Sequence, residues 1–322
     1  MIPLEWIQDA ARRISAVASV TPVSYDSDLD VFLKWENKQV TGSFKLRGAL
    51  NKILCLADWE RAQGLVTASA GNHGQGVALA ARETRARVVV FASEHAAPAK
   101  LAAMRALGAE LRLVAGGYAE AESAGIAFAK DHGMIWISPY NDGLVIAGQG
   151  TVGLELMEQI QPFTARTVVV PVGGGGLISG IGAALSARVD RPRLVGVQSE
   201  ASAFMYALFN HRAQRDVMES DSIADGLAGW VEDESMTIPL VRKFVDDIIL
   251  VTEEEIERAI VFAWEKYGEV IEGSAAVSIA AVLSGRVTDR PAVLIITGGN
   301  IQPELHWSLI EKWGRNSPGG GR

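Results

Sequence analysis

Short Val- and Ile-rich runs, apolar at successive positions, alternate along this chain with longer stretches whose apolar residues recur every three or four positions. "GLVTAS", "RVVVFAS", "TVVVPVGGGG", "RLVGVQSE" and "AVLIITGGN" are of the first kind. "HGQGVALAARET", "PAKLAAMRALG", "YAEAESAGIAFAKDHG", "LISGIGAALSARV" and "TEEEIERAIVFAWEKYG" are of the second. A strand apolar on both faces must be covered on both, which is the condition of a parallel sheet between helices. The fold class expected is therefore α/β, with open, mostly parallel sheets wound in both directions. "VFLKWEN" (residues 31–37) reads as a further strand, followed by a helix through "KLRGALNKIL" with Thr41, Gly42 and Ser43 as cap candidates.

Lys45 is out of place there. It falls in the first turn of its helix, where the backbone dipole disfavours a cation. An amine at such a position has reason not to remain a free ammonium.

The bulk numbers narrow the partners. With 322 residues, 48% hydrophobic and 21% charged, the chain has an ordinary globular composition and length enough for two domains. A formal net charge of −8 speaks against nucleic acid or an anionic membrane as partner. No apolar run reaches the ~18 residues of a membrane span. The N-terminal "MIPLEWIQDAARRISAV" reads as an amphipathic helix, not a signal peptide, so a cytoplasmic location is expected. The single cysteine, Cys55, excludes an internal disulfide and reads as a buried thiol.

Three strand-to-helix junctions carry candidate chemistry, because ligands in such folds gather at the carboxyl ends of strands. In "VVVPVGGGGLISGIG" the run Gly173, Gly174, Gly175, Gly176 ends a buried strand and opens a helix at Leu177. Backbone N–H groups freed of side chains, together with the helix N-terminus, suit a phosphate. The dinucleotide spacing G-x-G-x-x-G fails, since from Gly174 the third glycine falls at Ser179. A tight turn is the alternative, but a turn alone does not need four glycines, each with its entropic cost. In "TASAGNHGQG" the residues Ser69, Ala70, Gly71 and Asn72 can offer N–H groups to a carboxylate, and His73 is either a general base or structural. In "LIITGGN" the hydroxyl of Thr297 stands at a strand end.

Taken together, "SFKLRGA", "SAGNHGQG", "VIAGQGT", "GGGGL", "IADGLAG" and "TGGN", in this order, resemble the fold-type II pyridoxal-phosphate enzymes, in particular the serine/threonine dehydratase and serine racemase family. The resemblance implies a tryptophan synthase β-like fold with two open, mostly parallel sheet domains. A large cofactor-binding domain would comprise residues 1–63 and 141–315. A small inserted domain, 64–140, would carry the substrate loop, with 316–322 a disordered tail. It implies pyridoxal 5'-phosphate bound covalently to Lys45, the catalytic residue, which also removes the α-proton. Phe44 would pack on the ring, Asn72 bond its 3′ oxygen, Gly173–Gly176 and Leu177 cup the phosphate, and Thr297 face the ring nitrogen. Glu272 in "VIEGSAAVS" matches an acidic position near the ring, with a plain surface glutamate as the alternative. Ser69, Ala70, Gly71, Asn72 and His73 would hold the substrate carboxylate.

The activity implied is β-elimination from L-threonine or L-serine to a 2-oxo acid and ammonia. A hydroxyl in place of a carboxylate at the ring nitrogen implies a neutral ring and a shallow electron sink, which favours loss of a β-substituent. The alternatives are β-replacement, a hydroxyaspartate or other specialised β-hydroxy amino acid dehydratase, a racemase-like enzyme, and a non-catalytic cofactor-binding protein. Racemases of this family resemble the chain but carry a second serine where Ala70 stands, so efficient racemisation is not expected. Gln198 and Phe204 stand where the racemase branch has metal-binding carboxylates, and Glu200 is displaced, so no metal is expected. A homodimer is the family's usual state. Because the sequence ends soon after the third junction, feedback through an added regulatory domain like that of biosynthetic threonine dehydratases is not expected.

Overall fold

The computed structural model describes residues 2–314, so the expected tail at 316–322 lies outside the described residues. Ten strands follow in chain order: β1 (Val23–Asp26), β2 (Val31–Trp35), β3 (Leu65–Ala68), β4 (Val88–Ser93), β5 (Glu110–Val114), β6 (Ile135–Trp136), β7 (Thr167–Pro171), β8 (Arg193–Ser199), β9 (Asp247–Val251) and β10 (Ala292–Ile296). They form a six-stranded sheet in the order β1-β2-β10-β7-β8-β9 and a four-stranded sheet in the order β5-β4-β3-β6. Every pairing is parallel except β1 with β2. The central strands β7 and β10 are buried at every position, as their unbroken apolar runs require. β1 escapes sequence reading because "VSYD" is short, half-exposed and antiparallel at an edge, with no apolar run to mark it.

In the larger sheet the chain runs from β7 outward through β8 and β9, then returns to the other side of β7 as β10. The carboxyl ends of β7 and β10 thus flank the point where the winding direction reverses, which opens a crevice in such sheets. The glycine run follows β7, and Thr297 follows β10. All four strands of the smaller sheet fall between residues 65 and 136, and the Ser69 loop leaves β3. The Lys45–Cys55 helix contributes Leu46, Leu50 and Ile53 to the apolar core it shares with Leu65, Val77 and Val90 of that smaller sheet and its helices.

The expected cap of the lysine helix is corrected. The helix begins at Lys45 with Phe44 at its N-cap, and no side chain caps it. Thr41, Gly42 and Ser43 instead tie the chain to the end of β10. Phe44 N donates to Thr297 O at 3.1 Å, Gly299 N donates to Gly42 O at 2.9 Å, and Ser43 bridges Gly298. Cys55 is partly exposed, not buried. By contrast, Thr252 forms a reciprocal cap with Glu255, as its sequence implies. Leu4–Ile14 is the amphipathic N-terminal helix, burying Ile7, Ala10 and Ile14. Among the described residues no helix is long and apolar enough to cross a membrane.

The Gly143–Gln159 helix packs between the Lys45–Cys55 and Gly176–Leu185 helices at a distance only glycine permits. A Cβ on Gly148 would lie 2.5 Å from the Arg47 carbonyl oxygen and 2.7 Å from the Gly48 Cα. Both neighbours are backbone, so a rotamer change cannot relieve the clash. Gly148→Ala is expected to destabilise the protein by about 3 kcal/mol, the upper end for overpacking, read from the denaturant midpoint. An unshifted midpoint would show that these helices separate without resistance.

Candidate active site

The crevice between the two sheets holds a cavity of about 710 Å³. Every site residue expected from sequence lines it: Phe44, Lys45, Ser69, Ala70, Gly71, Asn72, His73, Gly173, Gly174, Gly175, Gly176, Leu177, Glu272 and Thr297. The three junctions, distant in sequence, therefore meet in one place.

Lys45 Nζ points into the cavity and donates to the Pro139 carbonyl at 3.2 Å. It lies 5.4 Å from the Phe44 ring centroid. Withdrawal from water pulls the Lys45 ammonium down to about 8, and the negative charge of Glu272 only partly offsets this. The misplaced cation of the sequence is thus an amine whose neutral, nucleophilic form is within reach of neutral pH.

Glu272 is 5% exposed, which removes the surface-glutamate alternative. Burial pushes its carboxyl up to about 7, with Asp225 adding to the rise. Its Oε1 accepts from Asn72 Nδ2 at 2.7 Å, and Asn72 Oδ1 accepts from Asn300 Nδ2 at 2.7 Å. Since Asn300 Nδ2 also donates to Thr41 O at 2.9 Å, the amide of Asn72 is held in one orientation. Asn300, the last residue of "TGGN", carries this positioning role, which nothing in its local sequence announces.

His73 is buried, and its Nε2 lies 3.2 Å from Ile137 O. A carbonyl only accepts, so Nε2 carries the proton and Nδ1 is left without a partner. Burial, and next the charge of Lys45, pull the imidazole down to about 3. An imidazole that weakly basic gains little by accepting a second proton at neutral pH, which favours the structural reading of His73 over general-base catalysis.

The glycine run is shaped for close approach. Gly175 has φ +83°, which favours glycine, and a Cβ on Gly174 would come within 2.5 Å of the Tyr140 ring. The N–H groups of Gly173–Gly176 meet no acceptor among the described residues, and they open the Gly176–Leu185 helix. A row of free donors at a helix N-terminus fits a phosphate. Thr297 is 3% exposed and its Oγ1 has no partner, although it lines the cavity. An orphaned buried hydroxyl costs stability unless a ligand completes it. The amine, the donor cradle and the hydroxyl together match the aldehyde, phosphate and ring nitrogen of pyridoxal phosphate.

Several lining residues have no signal in the sequence. Lys100 pairs with Asp225 at 2.7 Å and thereby links the smaller sheet's side of the cleft to the "IADGLAG" turn. That turn backs the glycine run, with Leu227 Cα 3.1 Å from where a Gly173 Cβ would stand. Tyr118, Glu122, Tyr140 and Glu232 also line the cavity. Gln198, one of the expected metal-position replacements, is buried and accepts from Tyr206 N at 2.9 Å, while Phe204 sits in the core. Among the described residues no group of three or more His, Cys, Asp or Glu side chains is placed to hold a metal ion.

Known proteins are similar to this chain in sequence and fold. The L-threonine ammonia-lyase of Thermotoga maritima is 40% identical over 97% of this chain and 79% of its own length. The crystal structure of a T.th. threonine deaminase superposes with a TM-score of 0.85 at 35% identity, covering 93% of this chain and 99% of that one. The structure of maize serine racemase gives 0.87 at 30% identity, covering 96% and 97%. The family model described as "Pyridoxal-phosphate dependent enzyme" matches residues 14–298, and the chain belongs to that family.

Proposed function

We propose that this protein is a pyridoxal-phosphate-dependent ammonia-lyase that converts L-threonine, and with it L-serine, to the corresponding 2-oxo acid and ammonia. The observation that carries the reading is the cavity itself: a desolvated Lys45 amine faces a cradle of free N–H donors and a hydroxyl, not a carboxylate, at Thr297. The relatives named threonine ammonia-lyase and threonine deaminase support the substrate class.

Lys45 is the residue to hold the cofactor, with Gly173–Gly176 and Leu177 at its phosphate, Phe44 and Asn72 at its ring and Thr297 at its ring nitrogen. When bound, pyridoxal phosphate supplies an electron sink for the charge left at Cα as the α-proton departs. The expected donor set is corrected: Ser69 N donates to Phe91 O at 2.9 Å and Gly71 N to Ser69 Oγ at 3.1 Å. This leaves the N–H groups of Ala70 and Asn72, at the start of the Asn72–Thr84 helix, whose dipole favours a substrate carboxylate there. Lys45 Nζ is the group placed to take the α-proton, and its lowered pKa keeps it competent to do so. Residues 64–140 act as a small domain whose closure on the cleft excludes water. Ala70 lines the substrate loop with a methyl group that cannot donate a proton from the opposite face, so elimination outruns racemisation.

The protein is further proposed to be a cytoplasmic homodimer, which light scattering at twice the 34.4 kDa chain mass would support. A keto-acid and ammonia assay tests the activity. Stoichiometric 2-oxobutyrate from L-threonine and pyruvate from L-serine, with no added nucleophile and little D-serine, is the expected result. Product that forms only when a thiol nucleophile is supplied would point to β-replacement.

A further inference from the structure

The cavity is lined by six carboxyl side chains, Glu120, Glu122, Glu219, Asp225, Glu232 and Glu272, against two ammonium groups, Lys45 and Lys100. Lys45 is the amine assigned to the cofactor. Lys100 is already paired with Asp225. Among the described residues neither Glu122 nor Glu232 has a cationic partner. Glu122 accepts from the Tyr118 hydroxyl at 2.8 Å, and Glu232 accepts from Asn141 Nδ2 at 2.6 Å. Both are half-buried, on the Tyr118–His132 helix and the loop after "IADGLAG" respectively.

Tyr140 sets their distance from the chemistry. Its neighbour Pro139 accepts from Lys45 Nζ, while its own hydroxyl, at the far end of the side chain, accepts from Glu232 N at 3.0 Å. The acidic wall is therefore about one tyrosine side chain from the reactive amine. Burial disfavours ionisation of Glu122, and Glu232 is close enough to add to that effect. The cofactor phosphate and the substrate's α-carboxylate would add two more anions to this cavity.

We infer that the substrate class is restricted to monocarboxylate amino acids with uncharged side chains, and that Glu122 and Glu232 are the specificity-determining residues that exclude a second carboxylate. This rests on the ammonia-lyase reading, and it sets 3-hydroxyaspartate outside the substrate range. A β-carboxylate finds no unpaired cation among the described residues lining the cavity, and like charges juxtaposed in a partly desolvated cleft repel strongly.

The test uses two unreactive analogues that differ chiefly in that carboxylate, L-2-aminobutyrate and L-aspartate, titrated calorimetrically into the cofactor-loaded protein. L-Aspartate is expected to bind at least about 100-fold more weakly. Combining Glu122→Gln with Glu232→Gln keeps the hydrogen bonds to Tyr118 and Asn141 while replacing both carboxyl groups with uncharged amides, and should narrow the gap by about 10-fold or more. The single Glu122→Gln variant, expected to narrow it partway, serves if the double variant does not fold. Equal affinities in the wild type, or a gap that the substitutions leave unchanged, would overturn the inference. Absence of 2-oxobutyrate from L-threonine counts against the ammonia-lyase reading alone, because the binding gap is read without turnover.

Discussion

Lys45→Ala is expected to lower L-threonine turnover by at least about 10⁴-fold, since the substitution removes both the covalent anchor and the proton acceptor. Loss of fold is not the cause. The Lys45 side chain projects into the cavity, and among the described residues its hydrogen bond is to Pro139 O. The apo-protein should therefore unfold at or above the wild-type temperature, because a poorly solvated ammonium has been removed. The same amine sets a pH dependence. Its folded pKa lies near 8, below the ordinary lysine value of 10.5, so the unfolded chain binds more protons between those limits. Stability of the apo-protein from this group rises with pH across that window and is constant below it. Capture of added pyridoxal phosphate, followed by its absorbance change, should accelerate about tenfold per pH unit up to about 8 and then level off. A capture rate indifferent to pH between 6 and 8 would mean the nucleophile is not this amine.

The second large effect is on stability. Arg47, two residues along the same helix, is 1% exposed and clamps that helix from behind. Its Nε and Nη2 each donate to Glu36 at 2.8 Å, Nη1 donates to Glu155 Oε1 at 2.6 Å, and Nη2 donates to Glu155 Oε2 at 2.9 Å. Lys34, fully buried, donates to Glu155 as well. Burial alone would push the Glu36 carboxyl up, but the Arg47 guanidinium outweighs it and holds the group ionised. Arg47→Met removes the cation that two carboxylates share and leaves Glu36, at 0% exposure, without a charged neighbour in contact. Breaking a buried pair in this way costs about 3–5 kcal/mol, which urea unfolding of the apo-protein would report as a lower midpoint at unchanged slope. Glu36→Gln together with Arg47→Met should recover part of the loss, because the stranded charge goes with its partner. A single variant as stable as the wild type would show that the buried network contributes nothing net to stability.

What can be read from the sequence follows from what each residue must do locally. The glycine run, the small residues from Ser69 to Gly71 and the hydroxyl at Thr297 are visible because a backbone that approaches a ligand closely cannot carry bulk there. β7 and β10 are visible because a strand covered on both faces needs an unbroken apolar run. The supports of the site are not local. Arg47 reaches Glu155 across 108 positions, and Asn300 reaches Asn72 across 228, so no spacing along the chain announces either contact. The helix cap departs from expectation for a related reason. Ser43 has the chemistry of a cap residue, but tertiary pairing with Gly298 fixes its backbone, and its hydroxyl is left buried without a partner. The acidic wall of Glu122 and Glu232 is equally invisible, since its two members come from opposite sides of the cleft and are joined only by the fold.

The most direct measurement is borohydride reduction of the loaded protein followed by peptide mass mapping. The added pyridoxyl-phosphate mass is predicted on the peptide containing Lys45 and on no other. An adduct on Lys100 or another lysine, or none on a protein that still turns over L-threonine, would contradict the account.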